Sequence, residues 1–200
     1  MKKKVYLVRH GQTEFNVQKR CQGWKDSPLT RKGIQQALAI RSWFEEQDIH
    51  FDHAYSSDLQ RAMDTMFLIT RGMDIPCYTS RGLREMSFGK YDGWKHADIP
   101  EIANIDRDTY FKNVGGETAE EAVLRAYRTI VFVMRQKDVE HALFVSHGIP
   151  VSGLYNSLPH APGVQEAKDF RNGCISVYEF EDDEMILVDF VQIEEEEFKL

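Results

Sequence analysis

Hydrophobic and polar positions along the chain alternate between two periods, which predicts strands separated by helices. Short runs rich in β-branched and aromatic residues are typical of strands, whereas apolar residues at three- and four-residue spacing are typical of helix faces. Thr30 offers an N-cap for the first long helix. The predicted strands are 4–9, 53–57, 76–79, 142–145, 174–180 and 185–191. The predicted helices carry Ile34, Ala37, Leu38 and Phe44; Leu59, Ala62, Met63 and Met66; residues 119–133; and residues 148–157.

This alternation predicts the fold class. Strands joined through helices form βαβ units, so we expect an α/β fold with three layers, a doubly wound, mostly parallel sheet and helices on both faces. Between residues 81 and 116 the periodicity is lost and aromatic residues, glycine and proline are mixed. We expect this segment to form a small lid lobe on a single domain spanning residues 1–200, with a solvated acidic tail at 194–197.

Composition narrows the function classes. A formal net charge of −7 disfavours nucleic acid and anionic membranes as partners. No apolar run approaches the roughly 20 residues of a membrane span, and the run after the N-terminal lysines is too short for a signal peptide. Three widely spaced cysteines, Cys21, Cys77 and Cys174, suggest reduced thiols rather than disulfides. We therefore expect a cytoplasmic protein.

Chemically reactive side chains follow the predicted strands. Arg9 and His10 follow the first, Arg61 lies just behind the second, Glu85 follows the third, and His147 follows the fourth. In a doubly wound sheet these strand ends meet at one crevice. Arginine binds phosphate, histidine serves as a nucleophile near neutral pH, and a carboxylate serves as an acid and then a base. The combination predicts phosphoryl transfer through a histidine.

A metal site is the main alternative for His10, Glu85 and His147. Two arginines at the same crevice would oppose a cation, so we expect no metal and no other cofactor. The glycine-rich loops of nucleotide-binding proteins are absent from the sequence.

Seven motifs in order carry a family resemblance. They are Leu7–Asn16, Gly23-Trp24, Leu29-Thr30-x-x-Gly33, Tyr55–Ala62, Leu83–Glu85, Gly115–Glu117 and Val145–Gly148. Together they resemble the signature of the histidine phosphatase superfamily, in the branch that includes the cofactor-dependent phosphoglycerate mutases. The resemblance spans nearly the whole chain and implies a phosphoglycerate mutase-like fold.

The resemblance implies a role for each matching residue. His10 would be the nucleophile, and the Gly11 carbonyl would accept a hydrogen bond from its other ring nitrogen. Glu85 would give a proton to the leaving group and then take one from water. The phosphate pocket would be formed by Arg9, Asn16, Arg61, His147 and Gly148. Gln22 and Ser57 are further candidates for this site, although Ser57 is equally well explained as a turn hydroxyl.

Two subclasses of the family differ in what accepts the phosphoryl group. The mutase pattern around the acid is Glu-Arg-His-Tyr-Gly, whereas this chain has Glu85-Met86-Ser87-Phe88-Gly89. The adjacent arginine pair of the mutases is also missing. We therefore expect a phosphatase that hydrolyses a small phosphorylated substrate. A phosphoglycerate mutase is the first alternative, and a non-catalytic phosphate-binding module is the second.

Overall fold

Six strands form one sheet in the computed structural model, which describes residues 2–100 and 106–193. They are β1 (Lys3–Arg9), β2 (His53–Ser57), β3 (Cys77–Ser80), β4 (His141–Ser146), β5 (Ile175–Glu181) and β6 (Glu184–Val191), in the order β3-β2-β4-β1-β5-β6. The first four strands of that order are parallel, and β5 and β6 are antiparallel additions. The predicted α/β fold with a mostly parallel sheet is confirmed, whereas the acidic stretch at 194–197 lies outside the described residues.

Helices cover both faces of this sheet. The helices of the described residues are α1 (Glu14–Val17), α2 (Arg31–Glu46), α3 (Gln60–Thr70), α4 (Arg107–Lys112), α5 (Ala119–Met134) and α6 (Gly148–Ser157). Of these, α2 and α3 pack on one face of the sheet, and α5 and α6 pack on the other. Side chains of β1 alternate between the faces, as a central strand requires. Val5 and Leu7 join the core under α5 and α6, whereas Tyr6 and Val8 join the core under α2 and α3. The result is the three-layer arrangement that the sequence predicts.

The buried face of α2 differs from the predicted one. Thr30 caps the helix as expected, because its side chain accepts a hydrogen bond from the Gly33 nitrogen. The buried positions are Gly33, Gln36, Ala37, Ile40 and Phe44. Ile34, which we expected in the core, is 40% exposed. The close approach of Gly33 to the chain after β1 sets the rotation of the helix and turns Ile34 outward.

That close approach involves two glycines. A Cβ atom on Gly33 would lie 2.0 Å from the Gln12 carbonyl oxygen, and one on Gly11 would lie 2.4 Å from the Gly33 carbonyl oxygen. Both contacts are far shorter than van der Waals distance, so only glycine fits at either position. The backbone that follows His10 is therefore held directly against the first turn of α2.

The aperiodic segment after β3 folds mainly into short turns. Three 3-10 turns, Arg81–Leu83, Gly89–Tyr91 and His96–Asp98, precede α4. The sequence pattern did not predict α4, a helix of 6 residues whose N-cap is Asp106. A third core cluster lies here, formed by Cys21, Met86, Phe88, Tyr91, Phe111 and Ala122. Across residues 2–100 and 106–193, no helix is both long and apolar enough to cross a membrane.

Candidate active site

Strand register brings the two histidines together. β1 and β4 are parallel neighbours, and Arg9 is paired with Ser146 at their carboxyl ends. The next residues are His10 and His147, whose ring centroids lie 5.1 Å apart. Both side chains are buried. The sequence predicts that these strand ends share a crevice, but only the sheet order makes them adjacent.

His10 is fixed by the backbone around it. Its Nδ1 lies 2.7 Å from the Gly11 carbonyl oxygen, so Nδ1 carries the proton and donates a hydrogen bond to that oxygen. The Gly11 nitrogen donates to Thr65 Oγ1, and Asn172 Nδ2 donates to the His10 carbonyl oxygen. Thr65 and Asn172 were not among the predicted site residues. In this tautomer the free lone pair is on Nε2, which is therefore the more nucleophilic nitrogen of the ring.

A buried arginine fixes the second histidine in the opposite tautomer. Arg61 Nε donates to His147 Nδ1 over 3.2 Å. Because an arginine nitrogen only donates, Nδ1 is the acceptor and the proton lies on Nε2. Nε2 of His147 is buried and has no hydrogen-bond partner among the described residues. It is therefore a neutral donor available to an anion beside His10.

Arg61 is held partly by two residues that sequence reasoning did not identify, Lys25 and Asp26. It is 0% exposed. Nη1 donates to the Lys25 carbonyl oxygen and Asp26 Oδ1, each over 2.8 Å, and Nη2 donates to the Gly23 carbonyl oxygen over 2.8 Å. Of its five N–H groups, four are thus engaged by protein, counting the bond to His147. Arg61 therefore supplies its charge and one N–H rather than a free two-pronged fork.

Arg9 is the more available arginine. Its Nη1 donates to the Phe170 carbonyl oxygen, while its buried Nε has no partner in the described part of the chain. A Cβ atom on Gly148, the first residue of α6, would lie 3.4 Å from Arg9 Cζ and 3.4 Å from Glu85 Oε2. Arg9 and the Glu85 carboxyl group thus meet beside Gly148, as the predicted pocket requires.

Glu85 is oriented by backbone donors. Its Oε1 accepts hydrogen bonds from the nitrogens of Met86 (2.9 Å) and Ile149 (3.2 Å), and its Oε2 lies beside Gly148. Its carbonyl oxygen accepts from Arg125 Nη2 over 2.6 Å. Arg125 also binds the carbonyl oxygens of Gly82 and Arg84 and forms an ion pair with Glu117. Arg125 was not predicted, although Glu117 belongs to the Gly115–Glu117 motif.

Three other predicted residues have structural contacts here. Asn16 Oδ1 accepts from the backbone nitrogen and the hydroxyl of Thr13, in a capping box for α1. Gln22 is buried and accepts from the Ser27 hydroxyl. Ser57 Oγ accepts from the Leu59 nitrogen, as a turn hydroxyl does. The structure brings Arg9, His10, Arg61, Glu85 and His147 together more directly than these three.

Burial and positive neighbours keep both histidines neutral. Burial is the main cause that lowers the pKa of His10 well below its usual value, and Arg61 and Arg9 lower it further. The pKa of His147 is lowered by burial first, then by Arg61 and His10. A neutral His10 retains the Nε2 lone pair that a nucleophile needs.

The assembled groups form a candidate anion site. Arg9, Arg61 and the neutral donor His147 lie around His10, and the Glu85 carboxyl group lies near Arg9 beside Gly148. Within the residues described, no three His, Cys, Asp or Glu side chains converge as metal ligands. A tetrahedral oxyanion with a transferable group fits this donor set.

Comparison with known proteins identifies the family. The family model described as histidine phosphatase superfamily (branch 1) matches residues 5–192. A curated relative, "Probable phosphoglycerate mutase GpmB" of Salmonella paratyphi A, is 31% identical over 197 residues, covering 91% of this chain and 87% of that one. The chain therefore belongs to the histidine phosphatase superfamily.

Solved structures agree with the fold. Bacillus stearothermophilus YhfR matches with a TM-score of 0.79 and 26% identity, covering 92% of this chain and 95% of that one. The alpha-ribazole phosphatase from Shigella flexneri matches with a TM-score of 0.76 and 26% identity, covering 92% and 94%. The neighbours thus include a protein named as a phosphatase, while the curated relative is named as a mutase.

The lowered histidine pKa values predict a pH dependence of stability. An unfolded histidine takes up a proton below about pH 6.5, whereas folded His10 and His147 resist protonation. Each therefore adds stability above that pH, and this stability is lost as the pH falls towards its folded pKa, by about 1.4 kcal/mol per pH unit. We expect His147→Gln to make the unfolding free energy fall less steeply below pH 6.5, by up to that slope.

Urea unfolding between pH 5 and 7.5 in phosphate-free buffer measures this difference. His50→Gln is the control for the substitution itself, because the His50 side chain is 87% exposed. Parallel stability curves for the wild type and His147→Gln would contradict the assignment of a neutral buried His147.

Proposed function

We propose that this protein is a phosphomonoester hydrolase that acts through a phosphohistidine intermediate on a small phosphorylated metabolite. One observation carries the proposal: the buried donors Arg9 Nε and His147 Nε2 have no partners in the described residues and lie at the strand ends beside the His10 ring. Two positive charges and two free donors match the equatorial oxygens of a transferring phosphoryl group.

In the first step Nε2 of His10 attacks phosphorus, and the bond from phosphorus to the ester oxygen breaks. The Gly11 carbonyl oxygen, which accepts a hydrogen bond from Nδ1–H, stabilises the positive charge that develops on the ring. Arg9, Arg61 and His147 hold the phosphoryl oxygens. Glu85 Oε2 gives its proton to the departing alkoxide, which would otherwise be too basic to leave.

In the second step water attacks the phosphorus of phospho-His10. The Glu85 carboxylate, now ionised, takes a proton from that water, and the N–P bond breaks to release inorganic phosphate. His10 returns to its neutral tautomer and Glu85 is again protonated. The cycle balances without a metal or another cofactor, since the arginines supply the fixed positive charge.

Burial of the residues after Glu85 supports hydrolysis over mutase activity. Where the mutase pattern has Arg and Tyr, this chain has Met86 and Phe88, and both are packed in the third core cluster. Phe88 makes an edge contact with Phe111 at 4.9 Å between ring centroids. Neither position supplies a cation or phenol for a glycerate carboxylate. The relative named as a probable mutase keeps that activity as the second candidate.

We further propose that the segment 81–116 acts as the lid of a single domain and that the protein works in the cytoplasm. Cys21, Cys77 and Cys174 are free thiols, which agrees with a reducing compartment. The net charge of −7 disfavours nucleic acid and anionic membranes as partners. A small anionic substrate would instead bind at one local cluster of cations.

Replacing the nucleophile tests the covalent step. We expect His10→Ala to reduce phosphatase turnover to below a few per cent of the wild type, because the lone pair of the neighbouring His147 is occupied by Arg61 and the ring cannot replace His10 as nucleophile. Trapping of an acid-labile, base-stable phosphoprotein by rapid quench should succeed only in the wild type. His50→Ala is the matched control. A non-catalytic phosphate-binding module would show no turnover even in the wild type.

The acceptor distinguishes the two subclasses. We expect 3-phosphoglycerate to be hydrolysed slowly at best, with inorganic phosphate and glycerate as products, since the buried Met86 supplies no cation in place of the arginine of the mutase pattern. Phosphorus NMR of the reaction, with and without a bisphosphoglycerate primer, measures both outcomes. Efficient interconversion of 2- and 3-phosphoglycerate would establish a mutase instead.

The role of Glu85 predicts a dependence on the leaving group. Glu85→Gln cannot donate a proton, and general acid catalysis contributes about 10²–10⁴-fold. We expect kcat/KM for an alkyl phosphate to fall by about that factor, while 4-nitrophenyl phosphate loses much less because nitrophenolate leaves without a proton. The second step still lacks its base, so a burst of nitrophenolate should precede a slow phase.

Stopped-flow kinetics with both esters measures these quantities, and Glu117→Gln is a comparison that perturbs the same loop through Arg125. Equal losses of kcat/KM for the alkyl and aryl esters would show that Glu85 is not the proton donor.

A further inference from the structure

One exposed tryptophan lies between the buried arginine and the acid. The carbonyl oxygens on either side of Trp24, those of Gly23 and Lys25, bind Arg61. The indole Nε1 of Trp24 donates to the Glu85 carbonyl oxygen over 2.8 Å. The backbone around Trp24 is thus held by Arg61 and its indole by Glu85, yet Trp24 is 38% exposed. A large apolar ring fixed at the mouth of a site provides a stacking surface for a ligand.

Two guanidinium groups lie over this ring. Cζ of Arg84 is 4.9 Å from the ring centroid, and Cζ of Arg81 is 5.8 Å from it. Arg84 is already neutralised, because its Nε and Nη2 bind the two oxygens of Asp58 at 2.6 and 2.7 Å. That ion pair holds the pKa of Asp58 below its usual value. One carboxylate therefore faces two guanidinium groups.

Arg81 carries the uncompensated charge. Its side chain is exposed and makes no ion pair within the described residues. It is placed instead by the Trp24 ring and by the 3-10 turn Arg81–Leu83, whose N-cap Ser80 accepts from the Gly82 nitrogen. On a chain with net charge −7, an exposed arginine with no ion pair among the described residues is a specific feature, because the carboxylate that faces it, Asp58, is already paired with Arg84. It provides a binding point for an anion.

We propose that Trp24 and Arg81 form a subsite for the leaving group, which recognises a planar ring carrying a second anionic group. This inference rests on the proposed function, since it concerns the alcohol part of the phosphomonoester. The ester oxygen lies beside Glu85, the substrate ring packs against the exposed part of the indole that Arg81 and Arg84 do not cover, and the far anion reaches Arg81. In a three-carbon acid the carboxylate is too close to the ester oxygen to span the indole.

A matched set of substrates isolates the charge. The carboxyl group of 4-carboxyphenyl phosphate is close in shape to the amide of 4-carbamoylphenyl phosphate but differs from it in charge. We expect the wild type to prefer the carboxylate ester in kcat/KM by roughly three- to tenfold, the range of an exposed charge pair aided by stacking. The preference should shrink as salt is raised towards 1 M. Benzene-1,4-diyl bisphosphate tests phosphate as the second anion.

The variants locate the subsite. For whichever second anion the wild type prefers, carboxylate or phosphate, we expect Arg81→Gln to bring the ratio of kcat/KM for the charged ester to kcat/KM for the uncharged ester to about one. Arg81→Lys should restore part of this preference. Trp24→Leu should raise KM for all ring esters, and Trp24→Phe should restore it. Arg135→Gln, an exposed arginine paired with Asp183, is the control and should keep the wild-type ratio.

The outcomes separate this inference from the proposed function. If His10-dependent hydrolysis occurs but the wild type shows no preference for either anion, or Arg81→Gln leaves the preference intact, the subsite is overturned and the hydrolase stands. If no phosphomonoester in the set is hydrolysed, the proposed function itself fails.

Discussion

Arg61 is fully buried with its charge, and the groups that satisfy this charge determine much of the surrounding structure. Its guanidinium binds Asp26, two backbone carbonyl oxygens and the imidazole of His147. A buried cation is costly unless its donors are satisfied, so the loop at residues 23–26 must wrap the head of α3. The same hydrogen bond fixes the tautomer of His147, which turns a neutral ring into a donor. The burial of Arg61 therefore determines the tautomer of His147 and contributes to the lowered pKa values of His10 and His147.

A second arginine, Arg125, positions the backbone around Glu85. Arg125 on α5 gathers the carbonyl oxygens of Gly82, Arg84 and Glu85 and is itself paired with Glu117. These carbonyl oxygens lie in an irregular segment that forms no regular ladder, so side-chain donors satisfy them: Arg125 binds all three, and Trp24 also binds that of Glu85. These hydrogen bonds hold the segment from Gly82 to Glu85 against α5, near the end of β4. Ser146 on that strand completes the link by donating to the Leu83 carbonyl oxygen.

The proposed chemistry and the proposed selectivity lie in different parts of the molecule. The parallel strands place His10 and His147 with little freedom, since β1 and β4 are central and both rings are buried. The segments at 23–26 and 81–100 instead present exposed groups, among them Trp24 and Arg81, on irregular backbone. A rigid sheet suits a reaction that needs aligned donors, and loops at its edge suit recognition of a variable alcohol.

The sequence by itself determined the α/β fold class, the strand positions and the convergence of Arg9, His10, Arg61, Glu85 and His147, because hydrophobic periodicity and the residues after each strand are local signals. It did not specify the sheet order that makes β1 and β4 neighbours. It also missed Asp26, Thr65, Arg125 and Asn172, whose partners lie far away in the chain or are backbone atoms. Ile34 was misplaced because the contact of Gly33 with the Gln12 carbonyl oxygen rotates α2. Tertiary structure decided these points, because hydrogen bonds and packing between distant segments leave no periodic trace in the sequence.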